Sequence, residues 1–145
     1  MQSEFQVQPE RALHRIRSQC VEQRTAKVNL IRGLLSEYGI VIAQQVRHLR
    51  SALVDLLEDA ENGLSMAFRD LLAALRDDLL YLDQRIDDLT RRIEQQVKDQ
   101  EPARRLLTIP GIGPMTASAL CASIGDARAF ANGRQQNRRP QPMAE

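Results

Sequence analysis

The 145-residue sequence has no tryptophan, and aromatic residues make up only 3% of it, so the ring anchors of a broad globular core are scarce. It has two cysteines, Cys20 and Cys121, far apart in the chain and without metal-ligand spacing. They read as reduced structural thiols, which excludes a disulfide scaffold or a zinc module and suits a cytoplasmic protein. No apolar run approaches the ~20 residues of a membrane helix, and MQSEFQVQPE has no signal-peptide pattern. No membrane partner is therefore expected. The formal charge of +1 gives no global pull toward a polyanion.

What is present is helix-forming sequence, rich in Leu, Ala, Arg, Asp, Glu and Gln. Charge is unevenly spread. Residues 65–101 carry six basic and nine acidic residues, a balance of −3. From 102 onward, Arg104, Arg105, Arg128, Arg134, Arg138 and Arg139 face only Asp126 and Glu145, a balance of +4. Such asymmetry points to a polyanion near the last third.

Periodicity predicts three long segments. Pro9 suits a first helical turn, and Leu13, Ile16, Cys20, Val28, Ile31, Leu34 and Leu35 follow at helical spacing up to the stop signal Gly39. Ile40 to Ile42 read as a buried connector. A second helix spans about 44–58, and Glu61-Asn62-Gly63 breaks it. Ser65 is the expected N-cap of a third helix reaching about Gln100. Leu72, Leu75, Leu79, Leu82, Ile86, Leu89 and Ile93 alternate three and four apart, the seam of a coil. In a parallel dimer Asp78 would face Asp83, so an antiparallel partner is expected, from this chain or a second one. The carboxylate pairs Asp77-Asp78 and Asp87-Asp88 read as a charged coil face, since adjacent helical residues diverge by ~100° and converge poorly on one ion. His14 and His48 read as surface or interface residues.

Residues 103–108 form a short helical turn, followed by Ile109-Pro110-Gly111-Ile112-Gly113-Pro114 and a further helix ending near Gly125-Asp126. Two glycines free the turn from side chains and permit positive φ. The amides of Gly111, Ile112 and Gly113 are expected to point outward above a helix N-terminus, which is an anion site. Thr116 adds a hydroxyl, Ile112 packs inward, and Arg104, Arg105 and Arg128 add charge. The pattern resembles the helix-hairpin-helix DNA-binding motif. It implies contact with DNA phosphates rather than with bases.

The wider arrangement resembles the insertion-sequence one-ten (one-sixteen and nine-oh-two) family of transposases. The segments ALHRIRSQCVEQRTAKVNLIRGLLSEYGIVI and RRLLTIPGIGPMTASALCASIGDARAFANGRQ, with a Leu-rich coil between them, carry the resemblance. It implies a coil used in assembly, as a homo-oligomer or with a partner coil. It also implies a role in DNA transposition and recombination, guided in part of the family by a structured RNA. The family's nuclease domain, with its acidic ligands for magnesium, and its catalytic serine region have no counterpart in these residues. Ser118 and Ser123 are not matches to that serine. The expectation is a truncated fragment, from a frameshift or a decayed copy, that contacts DNA without catalysis and has no cofactor, metal site or catalytic residue of its own. The alternatives are a helical scaffold and a small helix-hairpin-helix DNA-binding module.

The expected fold is all-α: a long antiparallel helical coil over 9–101, a helix-hairpin-helix-like module over 102–131, and disordered stretches at 1–8 and 132–145.

Overall fold

The structure, a computed structural model, describes residues 9–136, without the side chains of Asp126, Ala129, Gln135 and Gln136. The expectations of disorder at 1–8 and 137–145 lie outside the described residues. All regular structure among the described residues is helical: α1 (Pro9–Glu37), α2 (Val46–Glu58), α3 (Met66–Asp99), α4 (Glu101–Leu106) and α5 (Pro114–Gln136).

The helix ends follow from local chemistry. Gly39, at φ +76°, closes α1. The Gly39 amide donates to Ser36 O and the Ile40 amide to Leu35 O, each at 3.0 Å, the paired bonds of a Schellman motif. The connector is only partly buried: Ile40 and Ile42 pack on the core, while Val41 points to solvent at 89% exposure. Ser65 caps α3, its Oγ accepting the Phe68 amide at 3.2 Å. Arg69, on the first turn of α3, donates to the carbonyls of Leu56, Leu57 and Asp59, closing the end of α2. Nothing in the pattern of residues signals that last contact.

The chain divides into two compact units, Ile16–Leu89 and Met1–Arg15 with Thr90–Glu145; α1 and α3 contribute to both.

In the unit of residues 16–89, Val28, Ile31 and Leu35 of α1 share one core with Leu49 and Leu53 of α2 and with Leu64, Phe68, Leu72 and Leu79. The two long helices run antiparallel here. Arg24 bonds Asp83 and Lys27 bonds Asp78, both at 3.2 Å, so ascending numbers on one meet descending numbers on the other. Asp83 also accepts from Arg50 and so ties three helices together. Cys20 is a buried free thiol.

In the other unit, Val97, Ala103 and Ala117 form a small core, with Leu106, Ile112 and Cys121 packed against it. Here α5 runs to Gln136, past the end expected near Gly125-Asp126, and it takes in residues 132–136 of the expected tail. Each of its two glycines, Gly125 and Gly133, costs the helix about 1 kcal/mol relative to alanine, and the alanines at 127, 129 and 131 favour continuation. Arg134 over the Phe130 ring, 4.5 Å from its centroid, adds a contact across one turn.

Candidate nucleic-acid interface

The glycine segment sits between α4 and α5. After Leu106 the chain tightens, and the amides of Leu107, Thr108 and Ile109 donate to Arg104, Arg105 and Leu106 carbonyls at 3.1–3.2 Å. Ile109 to Ile112 then make a β-turn, closed by the Ile112 amide on Ile109 O at 3.2 Å. Pro110 takes the second position and Gly111, at φ +86°, the third, where positive φ favours glycine.

This turn corrects one expectation. The Ile112 amide is spent inside the loop and is not available to an anion. Its side chain is half-buried on the Val97–Ala103–Ala117 core and anchors the turn. The amides of Gly111 and Gly113 have no acceptor among the described residues. The same holds for Met115 and Thr116, in the first turn of α5, where helix geometry leaves N–H groups unpaired. The first backbone bond of this helix is Ala117 to Gly113 O, at 3.0 Å. Four free donors thus cluster at the positive end of a 23-residue helix.

Gly111 and Gly113 differ in why they are glycine. Gly111 needs its backbone freedom. Gly113 has no positive φ, and a Cβ there would meet nothing within 4 Å. Its side would open onto solvent beside the free amides. Thr116 is exposed, as are Arg104 and Arg128. Arg105 holds Glu101 at 2.7 Å across one turn, but both side chains are largely exposed. Such a pair is worth about 0–1 kcal/mol and gives way readily to a phosphate.

Two contacts link α1 to this hairpin, and sequence reasoning missed both. His14 Nε2 lies 2.7 Å from Ser118 Oγ, and Ser118 is buried. Gln100 Nε2 donates to Glu10 Oε1. No local signal could have revealed bonds spanning most of the chain.

Of the coil-seam residues, Leu72, Leu79, Leu82, Ile86, Leu89 and Ile93 are buried, and Leu75 packs on the core of the 16–89 unit. His48, Asp77, Asp87 and Asp88 are exposed on their helices. Among the described residues no group of three or more His, Cys, Asp or Glu converges as metal ligands. No described helix is long and apolar enough to cross a membrane.

Residues 103–137, spanning the hairpin and α5, match the Transposase IS116/IS110/IS902 family. This segment carries the family's pattern. Over 125 residues it is 42% identical to a probable family 20 transposase of Pseudomonas aeruginosa, an alignment covering 86% of this chain and 37% of that one. It is 36% identical to the transposase for insertion sequence element IS1111A of Coxiella burnetii, covering 86% of this chain and 34% of that one. Against the transposase for IS1328 of Yersinia enterocolitica, identity is 34% over 85% of this chain and 36% of the relative. The chain spans about a third of the length of these relatives. No solved structure matches it.

Proposed function

We propose that this region of the transposase grips the DNA backbone through the turn between α4 and α5, without reading sequence and without cutting. The observation that carries the reading is the set of unpaired amides at Gly111, Gly113, Met115 and Thr116, above the N-terminus of α5. Amides so placed favour a phosphate over a base edge. Thr116 supplies a hydroxyl, and Arg104, Arg105 and Arg128 supply counterion-releasing charge. The family's relatives are named as transposases, which fits DNA as the polyanion.

Any assembly through the coil would have to use a face other than the seam from Leu72 to Ile93. That seam is buried within the single chain, so it is no free surface for a second copy.

Binding of random-sequence duplex DNA, followed by fluorescence anisotropy, tests the proposal. The affinity is expected to fall steeply with salt, by about a factor of ten per phosphate contact for each tenfold rise in salt. It should be indifferent to DNA sequence and weakened at least tenfold by Gly113→Val. Structured RNA as competitor shows whether the grip extends to a second polyanion. Salt-insensitive or absent binding would leave a helical scaffold as the better reading.

A further inference from the structure

The hairpin is poorly equipped to hold its own shape. Its helix α4 has six residues, and the buried core beneath it is Val97 with two alanines, Ala103 and Ala117. Hydrophobic stabilisation scales with buried apolar area, and alanines bring little of it. Yet the four free amides grip one phosphate only if α4 and α5 keep a fixed angle.

The start of α1 belongs to the same compact unit as the hairpin. Glu10 and His14 stand one helical turn apart, so they share a face. Glu10 accepts from Gln100, the residue that caps α4, and that cap makes no side-chain bond of its own to the helix. His14 meets buried Ser118, in the second turn of α5, at 2.7 Å. One face of one helix thus holds both arms of the hairpin.

We propose that the first turns of α1 act as a clamp, with Glu10 and His14 as positioning residues that preset the amide donors of the turn. The inference rests on the reading of that turn as a phosphate grip. The family match begins at residue 103, so it leaves this part of the working module out. Ser118, buried and engaged by an imidazole, serves here as an anchor.

Hydrogen exchange on the full chain without DNA tests the clamp separately from the grip. In His14→Ala, the amides of residues 117–121 should exchange about five-fold faster, the scale of one lost hydrogen bond. In His14→Gln the amide nitrogen of glutamine stands near the place of Nε2, so most of the protection should return. Glu10→Ala should loosen α4, and Glu10→Gln, which keeps an acceptor, should not. The amides of Leu49 and Leu53, in the other unit, should be unchanged throughout. Duplex DNA affinity should drop about five-fold in His14→Ala and recover in His14→Gln, by the same hydrogen-bond scale. Unchanged exchange at 117–121 in His14→Ala, or faster exchange across the whole chain with no rescue by glutamine, overturns the clamp. Faster exchange with unaltered DNA affinity overturns its positioning role. Wild-type protein that binds no DNA sinks the grip itself, while the exchange data still decide whether α1 holds the hairpin.

Discussion

Gly111 and Gly113 stand two residues apart and answer to different forces. Gly111 is held at φ +86° by a turn that its own chain closes. Gly111→Ala should therefore cost about 1 kcal/mol or more in folding stability, seen as a lower midpoint in urea, because a Cβ is strained there. Gly113 meets no such constraint. Gly113→Ala should leave the urea midpoint within about 0.5 kcal/mol of wild type, in line with an unstrained surface change. It should still weaken DNA binding, because the added methyl stands where a phosphate must approach. Equal losses of stability in the two variants would show that both glycines serve the fold alone. The double-glycine pattern was legible as a turn, but which amide the turn consumes was not. The Ile109–Ile112 bond depends on the angle at which α4 delivers the chain.

The helices show how far periodicity reaches. Gly39, Ser65 and the seam from Leu72 to Ile93 marked starts, stops and buried faces, because caps and a 3.6-residue repeat are local properties. The length of α5 escaped that logic. Gly125 reads as a stop, yet it and Gly133 are outvoted by the helix formers around them. Arg69 escaped it too. Its guanidinium closes α2 from another helix, serving carbonyls that have no partner in their own. Arg69→Ala is expected to destabilise the chain by about 1–3 kcal/mol, as the Leu57 carbonyl loses its donor and the Leu56 carbonyl keeps only Asn62. Ser65→Ala should cost about 1 kcal/mol, the usual worth of an N-cap. Thermal melts of the two variants would rank them. A smaller loss for Arg69→Ala than for Ser65→Ala would mean that water replaces the guanidinium.

At the scale of the molecule, the antiparallel pairing of α1 with α3 in the 16–89 unit turns the coil seam inward. Asp83, mostly buried, holds Arg24 and Arg50 from two other helices. Asp83→Ala removes the shared acceptor and leaves two guanidiniums crowded together, at a cost of about 1–3 kcal/mol, between a surface pair and a buried one because both arginines stay partly solvated. Urea unfolding should show the loss, and adding Arg24→Leu should recover part of it. A change under about 0.5 kcal/mol, ordinary for a surface site, would demote the contact to a surface pair. Light scattering should find a monomer, since the apolar stripe that would pair two copies is buried in one.

By itself the sequence determined an all-helical chain, its caps and breaks, the apolar stripes and a basic glycine turn, because each is written within a few neighbouring residues. Only the tertiary structure decided which residues cover the seam, which amide the turn keeps for itself, and that Glu10 and His14 meet Gln100 and Ser118. Those outcomes depend on where distant helices meet. Short-range preference is silent there, and packing and hydrogen bonding across space choose.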